Sequence, residues 1–288
     1  MSNHQLSLLS CFAHPDDEGL ITGSFARYIN EGVRVALVCA TRGEVGQIAP
    51  GTDATPETLG QVREQELRKA MSLVNLTDIH FLDYRDSGMA GTPENQHPHN
   101  FINAPDDEVI GRLVRIIRMT KPQVLVTFDP SGGYGHPDHL KIHHATMAAF
   151  DLAGDSNTYP EQLRNGLAPY APQKLYWTAF SREFFMEVAR YLQEQGIDLS
   201  QFGQFNPAMR ASMANHEITT KVDVSHYIEL KEHAWGAHAT QHNPNSPLAK
   251  VPQDLWRKFR ATENFILARS RLAKQNGVES DLFAGVRA

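Results

Sequence analysis

Cysteine is nearly absent. The 288-residue chain holds two, Cys11 and Cys39, each inside an apolar stretch and neither in a close pair, so a disulfide framework is excluded and buried thiols packing as small hydrophobes are expected. Long apolar runs are missing as well. None reaches the roughly 20 residues a membrane span needs, and the opening MSNHQ has no basic region followed by an apolar one, which predicts a cytoplasmic protein without a span. Basic tracts are also lacking. Lys plus Arg number 27 against 33 Asp plus Glu, a net charge of −6, so the overall field disfavours nucleic acid or anionic membrane as the main partner. There is no internal repeat and no low-complexity tract. No G-x-G-x-x-G follows the first apolar run and no P-loop lysine accompanies the glycines of SGGYG, so those glycines are not a phosphate cradle. The lack of a G-x-S-x-G elbow disfavours a serine hydrolase.

What is present is an alternation. Strand signals at Leu6 to Phe12, Val33 to Ala40, Ile79 to Asp83, Val124 to Phe128 and Lys174 to Phe180 are separated by helix-length patterns at Gly19 to Glu31, Thr58 to Val74, Asp106 to Met119 and Arg182 to Gln195. That rhythm predicts an α/β fold, a Rossmann-like and mostly parallel sheet with helices on both faces. The last hundred residues are less regular, with a strand-like Thr219 to Val224 and a helix over Val224 to Ala239, and read as a smaller C-terminal α/β region. The expected division is a metal-binding core over residues 1–172 and a region over 173–288 that completes the crevice, the two forming one compact unit.

In open α/β sheets, ligands collect beyond the carboxyl ends of the strands. The loops there are AHPDDE, ATRGEVGQ, YRDSGMAGT and DPSGGYGHPDH. Two of them carry an H-P-D core: His14, Pro15, Asp16 and Asp17 in the first, and His136, Pro137, Asp138 and His139 in the last. Three adjacent carboxylates would repel one another in an ordinary turn, so a cation is expected among them. A single H-P-D could be no more than a polar helix cap. Two on neighbouring strands suit a catalytic zinc site with an open position. Spacing leaves the ligands open: His14 and Asp17, three apart, would share a face, whereas His14 and Asp16 with a distant His would resemble a two-His, one-carboxylate iron triad. A carboxylate left over suits a general base. Four other histidines are weighed as bystanders: His143 one helical turn beyond His139, His97 and His99 in a long loop, and His238 as a core, rim or outer-shell group.

AHPDDE followed by HPDH resembles the zinc-dependent deacetylases of N-acetylglucosamine conjugates, the family of LmbE-like proteins and GlcNAc-PI de-N-acetylases (PIG-L). YRDSGMAGT, TFDPSGGYGHPDH and the late WGAHATQ are similar to its mycothiol-pathway branch of deacetylase and conjugate amidase, and the likeness covers most of the chain. The resemblance implies zinc bound by His14, Asp17 and His139, and Asp16 as the base; because nitrogen and oxygen ligands discriminate poorly between zinc and iron, Fe²⁺ is the expected substitute. It also implies His136, oriented by Asp138, as a stabiliser of the oxyanion, and Tyr134 reaching towards the reacting centre. Arg63 and Asp86 would hold sugar or inositol hydroxyls, and Met89 would line the acyl side of the pocket.

The expected activity is therefore zinc-dependent removal of acetyl from a small N-acetylglucosamine conjugate, by an enzyme able to form a homo-oligomer. Three rivals stand beside it. An amidase would release a larger, cysteinyl-type acyl group from the same nitrogen; a non-haem iron oxygenase would use His14, Asp16 and His139; a sugar- or metal-binding module would not turn over at all.

Overall fold

A computed structural model describes residues 5–197, 217–273 and 277–287. Its centre is a seven-stranded sheet of order β3-β2-β1-β4-β5-β7-β6, built from β1 (Ser7–Phe12), β2 (Arg34–Thr41), β3 (Asp78–Tyr84), β4 (Val124–Thr127), β5 (Lys174–Ala179), β6 (Thr220–Asp223) and β7 (Thr262–Ser270). The first five strands are mutually parallel, while β7 runs antiparallel to both β5 and β6. Every residue of β1 and β4 is buried, as expected of parallel strands covered on both faces. The sheet runs without a break from β4 into β5 across residues 172 and 173.

The helices are α1 (Thr22–Asn30), α2 (Leu59–Leu73), α3 (Asp106–Thr120), α4 (Gly132–Gly135), α5 (Pro137–Leu152), α6 (Pro160–Arg164), α7 (Arg182–Glu194), α8 (Ile228–Gly236) and α9 (Gln253–Arg260). Helices α1 and α2 pack with α8, and α3 packs with α5, giving one helical layer on each face. The mostly parallel α/β sheet expected from the alternation is thus observed. Helix α3 shows why its segment folds so: Asp106, Asp107 and Glu108 fill the first turn, Val109, Leu113, Ile116 and Ile117 are buried, and Lys121 closes it in a left-handed conformation at φ 49°. The acids complement the helix dipole, and the apolar spacing makes one buried stripe.

Two features differ from the sequence reading. The helix expected from Gly19 begins at Thr22, because Asp17–Leu20 forms a 3₁₀ turn and Ile21 breaks the path at φ −132°, ψ 18°. Strand β7 carried no strand signal. Its two buried residues are Glu263 and Phe265, and an acid at a buried position erases the apolar alternation by which a strand is recognised. Glu263 is tolerated there because Lys231 pairs with it at 2.5 Å and the backbone N–H groups of Gly23 and Ser24, opening α1, donate to it. Among the described residues no helix is long and apolar enough to cross a membrane.

The strand order reverses between β1 and β4, which are neighbours. That is the topological switch point where the loops diverge and leave a crevice. AHPDDE follows β1 and SGGYGHPDH follows β4, so the fold sets the two H-P-D motifs against each other.

Candidate metal centre and active site

His14 and His139 meet across the switch point, with His14 Nδ1 at 3.1 Å from His139 Nε2. Asp17 closes the group, its Oδ2 at 3.5 Å from His14 Nδ1 and its Oδ1 at 3.3 Å from His139 Nε2. The outer nitrogen of each ring is already taken. His14 Nε2 lies 3.2 Å from Asp138 Oδ2, and His139 Nδ1 lies 3.0 Å from the carbonyl of Gly132. Those partners are acceptors, so each outer nitrogen is placed to carry a proton, and the inner nitrogens, Nδ1 of His14 and Nε2 of His139, are turned towards one another. Two imidazole nitrogens and a carboxylate converging in a buried place favour a positive charge among them, a proton or a metal ion. Tetrahedral zinc with nitrogen and oxygen ligands at 2.0–2.1 Å separates its donor atoms by about 3.3 Å, the spacing seen here. The donor set therefore fits a divalent metal.

The surrounding carboxylates favour positive charge at this place. Burial disfavours a charged His14, yet the carboxylates of Asp86, Asp138 and Asp17 override it and hold the imidazole well above its usual pKa. Burial likewise opposes the Asp17 charge, but His139 and His14 draw its carboxyl well below the usual range. Asp17 is also fixed locally, since its Oδ2 accepts the backbone N–H of His14 at 2.7 Å and of Ala13 at 3.2 Å. The ring of Phe128 stacks on His139 at 4.0 Å between centroids. His143, buried one turn along α5, donates to the Phe128 carbonyl at 2.8 Å and does not join the His14, Asp17 and His139 group.

Asp16 stands beside this group in an unusual backbone conformation, φ 110° and ψ −23°. A non-glycine residue there stores strain of about 1–3 kcal/mol and persists only where its surroundings impose it. Two sets of contacts do so. Glu18 Oε2 accepts the Asp16 backbone N–H at 2.9 Å, and Arg63 Nη2 reaches Asp16 Oδ1 at 3.2 Å and the Pro15 carbonyl. Burial raises the Asp16 pKa to about 6 against the lowering effect of Arg63, with Asp17 adding to the rise. Arg63 itself, expected to face substrate hydroxyls, is only 4 % exposed and lies beneath the loop, donating also to the Gly43 carbonyl at 3.1 Å.

His136 caps α5. Its Nδ1 accepts the backbone N–H of Asp138 at 3.2 Å, which assigns the ring proton to Nε2. Burial and the neighbouring His14 and His139 push its pKa down to about 3, so it is a neutral imidazole with an N–H to offer. The carboxylate of Asp138 was expected on His136, but it lies instead on His14, where it also accepts the Ser87 N–H at 2.9 Å. Tyr134, 38 % exposed, leans over the same group with its ring 5.0 Å from His139 and 6.2 Å from His136. Three glycines around it, Gly132, Gly133 and Gly135, take positive φ. Gly132 must be glycine, since a Cβ there would meet His139 Cβ at 2.9 Å.

Asp86 is buried, 3.5 Å from His14 Nε2 and bonded through Oδ1 to the Gly88 N–H at 2.8 Å, with His14 the main cause of its lowered pKa once burial is overcome. Met89 is largely exposed at the rim. His97 and His99 form a pair of rings 5.7 Å apart on the long loop, with no contact to the metal group among the described residues. Glu18, Glu44 and Ser87 had no individual role in the sequence reading. Each holds a site residue, Glu44 by accepting the Asp86 N–H at 3.0 Å, and only the position of Glu18 inside AHPDDE could have marked one of them beforehand.

Residues 9–150 match the family described as GlcNAc-PI de-N-acetylase (PIG-L). A relative from Streptomyces scabiei, 1D-myo-inositol 2-acetamido-2-deoxy-alpha-D-glucopyranoside deacetylase, is 38 % identical over 97 % of this chain and 89 % of its own. Among solved structures, N,N'-diacetylchitobiose deacetylase from Pyrococcus horikoshii aligns with a TM-score of 0.62 at 21 % identity, covering 92 % of this chain and 84 % of that one. A hydratase from Pseudomonas putida, GalB, shares the fold at a TM-score of 0.57 and 16 % identity, over 95 % of this chain and all of its own. The fold therefore hosts more than one reaction, and the chemistry must be argued from the site. With that identity to the Streptomyces protein over nearly its whole length, the chain belongs to the GlcNAc-PI de-N-acetylase (PIG-L) family.

Proposed function

We propose that the protein is a zinc-dependent deacetylase that hydrolyses the N-acetyl amide of a small glucosamine conjugate, of the kind named for its relatives, an acetamido-glucopyranoside of myo-inositol. The observation that carries this reading is the convergence of His14, His139 and Asp17 across the switch point, flanked by a carboxylate on one side and a neutral imidazole on the other. His14, Asp17 and His139 would hold the metal. When bound, it supplies Lewis acidity, lowering the pKa of water at the site and offsetting negative charge that develops on the amide. Nitrogen and oxygen donors accept zinc and iron alike, with zinc matching the compact three-residue set.

The chain's own residues supply the rest. Asp16 takes a proton from the attacking water as its oxygen bonds to the acyl carbon. His136 offers its Nε2–H to the carbonyl oxygen as that atom gains charge, and a neutral donor in a buried site needs no reorganisation to do so. Tyr134, on its glycine-flanked turn, is the second group at the same face. The proton held on Asp16 then passes to the departing nitrogen as the C–N bond breaks, giving acetate and a free amine. Asp86 and Met89 line the approach for the sugar and the acyl group. Residues 1–172 act in this reading as the catalytic core, and residues 173–288 complete the crevice. The test is to incubate metal-loaded protein with N-acetylglucosamine conjugates and follow amine release. Turnover of the inositol conjugate is expected, and no release from any acetylated amino sugar would refute the assignment.

A further inference from the structure

We propose that His238 is a positioning residue for this hydrolysis, acting through Glu18 on the backbone of Asp16; the proposal rests on the reading of Asp16 as the base. His238 is wholly buried, and its Nε2 lies 2.6 Å from Glu18 Oε1. The other oxygen of the same carboxylate holds the Asp16 N–H at 2.9 Å. One bidentate carboxylate thus joins an imidazole in the C-terminal part of the chain to the strained residue in the first loop, which stands at φ 110°. A carboxylate that is 2 % exposed is held in place by its donors, and without the imidazole it loses the partner that fixes its direction.

The segment that carries the imidazole is anchored in turn. Thr240 donates to Glu66 on α2 through both its N–H, at 2.8 Å, and its hydroxyl, at 2.6 Å. The Ala49 N–H bonds the Thr240 carbonyl at 2.8 Å, and Gln241 Nε2 bonds the Gln47 carbonyl at 3.2 Å. The segment AHATQ is therefore a strut between α2, the loop after β2 and the loop after β1. Asp16 is clamped from two directions: Glu18 fixes its backbone, and Arg63 fixes its carboxylate. Among the described residues no hydrogen bond joins His238 to His14, Asp17 or His139, so it acts on Asp16 through Glu18 and through the field of its ring, which lowers the Asp16 pKa.

The experiment compares zinc-loaded His238→Leu, His238→Gln, Asp16→Asn and the double variant His238→Leu/Asp16→Asn for kcat, KM, zinc content and the amide NMR signal of residue 16. In His238→Leu, kcat is expected to fall at least about tenfold with KM and zinc content near wild type, as a misplaced base predicts. The Asp16 amide proton, released from a carboxylate, moves upfield. His238→Gln, whose side-chain N–H can still donate to Glu18, regains most of the rate. The double variant is no slower than Asp16→Asn, because His238 acts only through Asp16. Should His238→Leu fail to fold, Glu18→Gln makes the same test, with the same loss of kcat and the same shift of the amide signal expected. Wild-type kcat in folded His238→Leu, equal losses in the Leu and Gln variants, or additive losses in the double variant would overturn the proposal while the base reading stands. Full activity of Asp16→Asn overturns the base reading and takes this proposal with it.

Discussion

His14 Nδ1 and His139 Nε2 stand 3.1 Å apart with both of their outward nitrogens engaged, an arrangement suited to a cation and built by residues from the two sides of the switch point. About one zinc per chain is expected in protein purified without chelator. His14→Ala, Asp17→Ala and His139→Ala should each reduce that occupancy, measured by elemental analysis. Chelation should also lower the melting temperature of the wild type. A ligand present at 100 times its Kd stabilises by about 2.7 kcal/mol, and the three alanine variants should lack most of that shift.

Asp16 separates base from ligand. Asn at this position keeps the shape but cannot take a proton from water, so zinc content should survive while kcat drops by about a hundredfold or more. Loss of zinc from Asp16→Asn would make this carboxylate a ligand instead.

Asp138 discriminates between two roles. Its carboxylate lies on His14 Nε2, the outer-shell position that sets the tautomer of a metal-binding imidazole. Asp138→Ala should weaken zinc affinity by roughly ten- to a hundredfold, read by competition with a chromophoric chelator. A loss of kcat with zinc affinity unchanged would mean that the residue serves His136.

The fold and the meeting of the two H-P-D loops were legible for related reasons. Strands such as LLSCF are apolar throughout and break sharply into polar loops, and the two H-P-D motifs repeat the same chemistry at the ends of neighbouring strands. What failed to show was direction. Asp138 is two residues from His136 along the chain, and sequence distance suggested that the one orients the other. Yet at a helix N-cap the backbone N–H makes that contact, leaving the carboxylate free to cross to His14. Strand β7 was hidden because a buried acid, Glu263, interrupts its pattern. Glu18 stood among three acids read together as a signal for a cation, and nothing in the run showed that it would instead face His238, which lies 220 residues away.

Arg63 shows the same limit. On α2, within LGQVREQEL, it reads as a solvated or substrate-facing arginine. It is buried because Gly43 and Gly46 leave room: a Cβ on Gly43, at φ 68°, would come within 2.0 Å of Arg63 Nη1, and one on Gly46 within 2.6 Å. Gly43→Ala must therefore displace the guanidinium and strain the backbone together. Both Gly43→Ala and Arg63→Ala should lower kcat on the order of tenfold with zinc retained, since misplacing a base costs rate and not metal. Arg63→Lys should not rescue the loss, because a single ammonium cannot span the Gly43 carbonyl, the Pro15 carbonyl and the Asp16 carboxylate as a planar fork does. The choice of substrate decides between positioning and recognition. A positioning arginine predicts equal losses on free N-acetylglucosamine and on its inositol conjugate. A direct hydroxyl contact predicts a loss larger on the conjugate by about 1–3 kcal/mol, and kcat/KM for the two substrates, measured side by side on Arg63→Ala, distinguishes them.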